Sequence, residues 1–257
     1  MTEQSNDVGI KEVDPKKVMD FLKPKMGARF KTWLQICAHC GLCANTCHFY
    51  NTSGNDPRMI PSYKVRFLTE ILKKKGRVDK DYLLKVYDTI YHECVMCRRC
   101  TLYCPFGIDI ALMISLLRSL LNSLGMTPDG LLKSVENYRE FSAQMPVSEE
   151  DWVETVEWCE EETAEELIGL TIPIDKKGAN IMYTVNAREP MFYPQDIMEV
   201  AKIFYVAGED WTVPSKFGWD GTNLAMYSGD LKMARSIVEN TFTRADELEV
   251  QKVGVTE

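Results

Sequence analysis

The chain lacks a long hydrophobic run. Its longest apolar stretch, Ile110 to Leu124, is interrupted by Arg118 and Asn122. It falls short of the ~18 apolar residues that a membrane span needs, so direct membrane insertion is not expected. Residues 1–20 carry Asp, Glu and Lys without an apolar stretch, so no secretory signal is expected and the chain reads as cytoplasmic. No phosphate-binding loop, glycine-rich dinucleotide fingerprint or nucleophile elbow occurs, and nothing offers a flavin or nicotinamide site. An excess of positive charge is missing too. The 30 Lys and Arg face 38 Asp and Glu, giving a net charge of −8 and a pI near 5.1. That argues against a nucleic-acid partner, because phosphate binding needs a positive surface.

What is present is ordinary in bulk and unusual in one respect. Hydrophobic residues make up 45% and charged residues 26% of 257, enough for one large globular domain or two small ones. The unusual feature is nine cysteines. In a reducing compartment such a number points to metal binding in preference to disulfides.

Eight of the nine fall into two runs. The first is Cys37-Ala-His-Cys40-Gly-Leu-Cys43-Ala-Asn-Thr-Cys47; the second is Cys94-Val-Met-Cys97-Arg-Arg-Cys100-Thr-Leu-Tyr-Cys104-Pro105. Both have the spacing C-x₂-C-x₂-C-x₃-C of bacterial two-cluster ferredoxins. Three thiolates at two-residue gaps wrap a short loop around three corners of one cubane. The fourth cysteine opens the next element and points away, so it reaches the other cluster. The expected ligands are therefore Cys37, Cys40, Cys43 and Cys104 for one [4Fe–4S] cluster, and Cys94, Cys97, Cys100 and Cys47 for the other. Gly41 gives the first loop backbone room, and Pro105 sets the turn after Cys104. Zinc also takes paired C-x₂-C units, but it needs four ligands and not eight in two identical runs. With four candidate ligands per cluster no iron is left open, which points to a relay without catalysis at the clusters.

The residues around the runs carry weaker signals. His39, His48 and His92 all lie beside the motifs; with eight thiols at hand, packing or solvent exposure is their expected role, and a hydrogen bond that tunes potential is the alternative. Arg98 and Arg99 flank the second cluster, where a cation would stabilise the reduced state and raise its potential unless both face solvent. Cys159 is left over and reads as a small buried apolar residue.

Along the chain, residues 1–13 are polar and expected to be disordered. Asp14-Pro15 opens a short helix to about Leu22. Pro61 opens a helix that ends at Gly76, Asp79 caps another, and Asp109 starts a helix to Gly125 that is apolar nearly all round. Such a helix is expected to be covered, most simply by its own core. Ser148 to Asp151 resembles a capping box. It leads into Glu149–Glu166, which holds ten acidic residues and no basic one. A solvated helix face is the plain reading of that run, and a docking patch for a basic partner the other. Ile181–Val185 and Asp210–Val213 read as strands, a helix from Pro194 to Val206 lies between them, and Asn223–Glu247 reads as helical with a break near Gly229. This order suggests a small α/β unit.

Two motifs separated by a helical pair, with a long apolar helix after the second, resemble the α-helical ferredoxin domain. That domain occurs in iron–sulfur subunits of succinate dehydrogenase, fumarate reductase, glycolate oxidase and glycerol-3-phosphate dehydrogenase, and in the C-type subunit of heterodisulfide reductase. A closer likeness lies in Cys40-Gly-Leu-Cys43-Ala-Asn-Thr-Cys47-His48-Phe49, with His where Pro usually follows the fourth cysteine. It continues in Cys97-Arg-Arg-Cys100-Thr-Leu-Tyr-Cys104-Pro-Phe-Gly-Ile-Asp109. These stretches look like the D-type subunit of heterodisulfide reductase and its sulfite-reduction-associated relatives, as do Gly208–Thr212 and Asn223–Tyr227 in the tail. In those relatives a region with Cys-Cys-Gly motifs follows, and this chain has none.

The resemblance implies a mainly α protein: an N-terminal arm and short helix (1–29), a ferredoxin domain with two [4Fe–4S] clusters (30–125), an acidic helical connector (126–177) and a small α/β lobe (178–257). It implies a C-type electron-transfer subunit in a hetero-oligomeric, heterodisulfide-reductase-like complex of the kind found in sulfur oxidisers. Electrons would pass between an A-type flavoprotein and a B-type Cys-Cys-Gly protein. Two other readings stand beside it: an iron–sulfur subunit of a quinone-linked respiratory complex, with the apolar helix packed on a membrane protein, and a zinc-stabilised scaffold.

Overall fold

The computed structural model describes residues 13–256, so the arm expected to be disordered lies, but for Val13, outside the described residues. The chain forms two compact units, divided between Pro128 and Asp129, and the first unit also takes in Met226–Asp230 from far along the sequence.

The first unit is helical. Its helices are α1 (Pro15–Leu22), α2 (Ala28–Ile36), α3 (Leu42–Asn45), α4 (His48–Thr52), α5 (Pro61–Lys64), α6 (Arg66–Lys73), α7 (Lys80–Tyr87), α8 (Arg99–Leu102) and α9 (Ile110–Ser123). The starts follow the sequence chemistry. The carboxylates of Asp14, Asp79 and Asp109 accept hydrogen bonds from the amides of Lys16, Tyr82 and Leu112, each replacing a bond that the first helical turn cannot supply. The helix expected from Pro61 is split at Val65. Lys64 thereby closes a single turn, while Phe67, Leu68 and Ile71 of α6 enter the core. After α7 the chain widens into a π-turn over Asp88–His92, just before the second cysteine run. Helix α9 runs through the middle of this unit. Met113, Ile114, Leu116, Leu117, Leu120 and Leu121 are all buried against Val18, Leu22, Leu68, Leu83, Val86 and Ile90. Burying each such side chain contributes about 1.5–3 kcal/mol relative to leaving it in water. The apolar helix is thus a core helix of its own unit. Among the described residues no helix is long and apolar enough to cross a membrane.

The second unit comprises α10 (Asp129–Phe141), α11 (Glu149–Glu166), β1 (Ile181–Thr184), α12 (Arg188–Phe192), α13 (Pro194–Ala207), β2 (Trp211–Thr212), α15 (Leu231–Glu247) and β3 (Lys252–Val255), with α14 (Ala225–Ser228) leading into the segment that joins the first unit. The strands are parallel in the order β2-β1-β3. The third strand carries no strong sequence signal, since Lys252-Val-Gly-Val is short and half exposed. Alternation along β1 decides what covers each face. Tyr183 packs with Ile197, Ala201 and Trp211, whereas Met182 packs with Ala245 and Leu248. The acidic helix α11 opens with a full capping box between Ser148 and Asp151. It buries Trp152, Val156 and Cys159 in the same core as Tyr183 and Val185, and its carboxylates mostly face out. Residues 143–172 therefore share a core with the sheet. Cys159 is fully buried and sits 3.7 Å from the Pro194 carbonyl; burial pushes its thiol up to about 11.

Asp220 is a fully buried carboxylate of this unit. Its oxygens accept hydrogen bonds from the amides of Gln144 (2.7 Å) and Thr222 (3.0 Å). Burial pushes its acid up from 3.8 to about 6, against the pull of those amides. The folded state thus holds this proton more tightly than the unfolded chain. Its contribution to stability is fully present below pH 3.8 and is lost as the pH rises through 6, an amount of roughly 3 kcal/mol. In urea titrations followed by near-ultraviolet circular dichroism of the stacked Trp152–Trp219 pair, Asp220→Asn should flatten that part of the pH dependence. An unchanged slope would assign it to other groups.

Candidate functional site

The two cysteine runs adopt one backbone twice. Cys37 ends α2, His39 and Gly41 take left-handed conformations (φ 52° and 80°), and α3 then carries Cys43. In the second run Met96 and Arg98 repeat those conformations (φ 52° and 64°), and α8 carries Cys100. The same spacing thus produces the same loop. Glycine sits at position 41 of the first loop for its φ, since a Cβ there would meet nothing within 4 Å. Arg98 takes that conformation at a cost of about 1–2 kcal/mol. It is held there by Asp109, whose carboxylate accepts from Arg98 Nη2 at 2.7 Å and from Thr101 Oγ1 at 3.1 Å while capping α9.

The thiols ring two spaces. One cavity is lined by Cys37, Cys40, Cys43 and Cys104, together with Ser62, Phe106 and Ile108. The other is lined by Cys94, Cys97, Cys100 and Cys47, together with Phe49, Lys64, Met96 and Ile114. Each lining takes three cysteines from one run and the last cysteine of the other. Cys40 and Cys97 are exposed, and the other six are half-buried. Zinc, with Zn–S bonds of about 2.3 Å, needs its thiolates to converge on a point. Among the described residues no three His, Cys, Asp or Glu side chains are so placed.

Burial favours the protonated form of three of the thiols. Burial raises Cys43, partly offset by hydrogen bonds from the Ser62 amide and hydroxyl. Burial pushes Cys100 up to about 12, and the neighbouring Cys94, Cys43, Cys97 and Cys47 add to it. Burial also raises Cys94, against the Met96 amide, 3.4 Å from its sulfur, and the charges of Arg118 and Lys64. Binding metal at these thiols must therefore expel protons.

Of the flanking residues, Arg98 and Arg99 are both exposed. His92 is exposed and 3.6 Å from Asp88, His39 Nδ1 lies 3.9 Å from Cys37 Sγ, and His48 packs on Phe49. Two cations that sequence reasoning passed over lie deeper. Lys64 and Arg118 are each only 2% exposed. Lys64 donates to the Glu93 carbonyl and lies 5.0 Å from the centre of the Phe49 ring. Arg118 donates to the carbonyls of Ile90 (2.8 Å), Cys94 (2.6 Å) and Tyr227 (3.0 Å) and stacks on Tyr91. One signal was available: Arg118 is the one charge in an otherwise apolar helix, and such a charge must find partners inside.

Residues 33–108, which span both thiol loops, match the family described as the 4Fe–4S dicluster domain. The chain thus carries an iron–sulfur domain. Its cofactors are [4Fe–4S] clusters, two in a dicluster domain, as expected from the paired runs. The chain is 31% identical over 121 residues to the Hdr-like menaquinol oxidoreductase iron-sulfur subunit 2 of Archaeoglobus fulgidus, and 28% identical over 120 residues to the Hdr-like menaquinol oxidoreductase iron-sulfur subunit of Archaeoglobus profundus. Each alignment covers 42% of this chain and 21% of the relative, so the chain spans about a fifth of the length of these proteins. No solved structure matches.

Gly229 is where the tail segment comes closest to α9. A Cβ at this residue would lie 2.5 Å from the Arg118 carbonyl and 2.8 Å from the Ser119 amide, and its φ is +90°. Gly229→Ala should therefore destabilise the first unit by about 2–4 kcal/mol, combining left-handed strain and backbone displacement. Thermal unfolding of the iron-loaded chain measures this, and an unchanged midpoint would show that the segment is not held against α9.

Proposed function

We propose that this chain is the two-cluster relay subunit, of the C type, in a cytoplasmic heterodisulfide-reductase-like complex. In this reading Cys37, Cys40, Cys43 and Cys104 hold one cluster, and Cys94, Cys97, Cys100 and Cys47 hold the other. The observation that carries it is the exchange of the last cysteines between the two cavity linings. The bound clusters supply one-electron storage. The chain's own part is to present eight thiolates on two matched loops, to half-bury six of them, and to tie the loops together through Cys47 and Cys104. Its partners are an A-type flavoprotein and a B-type protein with Cys-Cys-Gly motifs, where the disulfide chemistry resides. Electrons pass through this chain without bond making.

The printed names of the Archaeoglobus relatives favour a second reading, in which the complex takes its electrons from menaquinol. The apolar helix α9 is already buried in its own core, so any quinol contact would belong to another protein of the complex. Affinity purification of the complex separates the two readings. A flavoprotein and a Cys-Cys-Gly protein among the partners support the first; a partner with several transmembrane helices supports the second.

Anaerobic purification should yield about eight irons and eight sulfides per chain, with a spectrum of two interacting reduced clusters. Cys104→Ser should alter the same paramagnetic signal as Cys40→Ser, and Cys47→Ser the same as Cys97→Ser. Pairing of Cys47 with Cys40 instead would overturn the ligand exchange. A colourless, zinc-bearing protein would overturn the relay altogether.

A further inference from the structure

The two thiol cavities share a backbone but not an electrostatic setting. The cavity of Cys37, Cys40, Cys43 and Cys104 has no Lys or Arg in its lining. Arg66 and Lys73 lie nearby, beside Cys37, but both are exposed, where water screens them. The cavity of Cys94, Cys97, Cys100 and Cys47 is set against two cations withdrawn from water. Lys64 lines it directly, alongside Glu93 and the exposed Arg98 and Arg99, which water screens. Arg118 donates to the carbonyl of Cys94, one of its thiol residues, at 2.6 Å. Neither has a carboxylate within ion-pairing distance among the described residues; Arg118 is met by main-chain carbonyls alone, and Lys64 by the Glu93 carbonyl and the Phe49 ring. A cation buried without an anion is strongly unfavourable, so these two need a counter-charge. One source is the thiolate set that lines the cavity with Lys64. The field of the two cations favours any further negative charge in that cavity, and reduction adds one.

We propose that Lys64 and Arg118 make the second thiol set the electron sink of the pair. The site of Cys94, Cys97, Cys100 and Cys47 is reduced before that of Cys37, Cys40, Cys43 and Cys104, and electrons run downhill from the first site to the second. The proposal rests on the relay reading above and adds a direction to it. It also places the roles of the partners: the donor delivers at the exposed Cys40 loop, and the acceptor withdraws at the exposed Cys97 loop.

The test is an anaerobic redox titration of the full, iron-loaded chain read by electron paramagnetic resonance. Two reduction steps are expected. Lys64→Met should lower the higher step by at least ~59 mV, a tenfold change for one electron, and leave the lower step in place. Lys64→Arg should restore it, and Lys73→Met, an equal charge change at the surface, should move neither. A shift confined to the lower step, or no shift at all, overturns the proposal. A second measurement leaves the cations untouched: Cys40→Ser and Cys97→Ser assign the two signals, and the order of reduction is then read in the unmodified chain. The Cys97 signal must appear first; its appearing second overturns the proposal even if Lys64→Met does not hold iron. A chain that binds no iron overturns this inference together with the relay reading, whereas a loaded chain with the wrong order overturns this inference alone.

Discussion

The guanidinium of Arg118 faces neither water nor, among the described residues, a carboxylate, so its surroundings must supply oxygen from the main chain. Three pieces of backbone do so. Ile90 lies in the π-turn that ends at His92, where helix carbonyls have no partner of their own. Cys94 offers its carbonyl from the start of the second thiol loop, and Tyr227 offers another from a segment 109 residues further on. Tyr91 covers the flat face of the group and donates its hydroxyl to the Ser228 carbonyl at 2.8 Å. Helix α9, the π-turn, the thiol loop and the tail segment thus meet on one side chain. Removing it would leave these carbonyls buried without donors, at about 1–3 kcal/mol each.

Much of this was legible in the chain's chemistry, because it is local. Helix starts at Asp14, Asp79, Asp109 and Ser148 are each specified by a side chain and an amide two or three residues apart. The paired loops follow from spacing within a dozen residues, whereas the division of thiols between two cavities joins the two separate runs. The left-handed turn at Gly41 could be read from the glycine; the same turn at Arg98 could not, because it depends on Asp109, eleven residues away. Lys64 looks like any solvent-facing lysine in sequence. Its burial is decided by Glu93, 29 residues on, and by the Phe49 ring. Arg98 and Arg99, beside the cysteines in sequence, border the second cavity but stay exposed to water. Proximity along the chain was a poor guide to which charges enter the site. Strand β3 was missed for a related reason, since its pairing with β1 spans about seventy residues and owes little to its own composition.

Duplication and difference sit on separate levels of the structure. The motif repeat sets the loops, their left-handed turns and the thiol positions, and these are nearly the same in both halves. The buried groups that distinguish the two cavities come from residues outside the repeat: Ser62 on one side, Lys64, Phe49 and the carbonyl-bound Arg118 on the other. A duplicated motif can therefore keep its cofactor-holding geometry while its two copies are tuned apart by the helices packed around them.

The insertion of Met226–Asp230 into the first unit bears on the timing of synthesis. At about 5–20 residues per second, the Tyr227 carbonyl leaves the ribosome roughly 5–20 s after Arg118. During that interval the helical unit has its thiols and its core but not the last acceptor of its buried cation. The amino-terminal half of the chain is therefore not a unit that can close first and wait. It is finished by a segment made only after the acidic helix and the first two strands of the second unit have emerged.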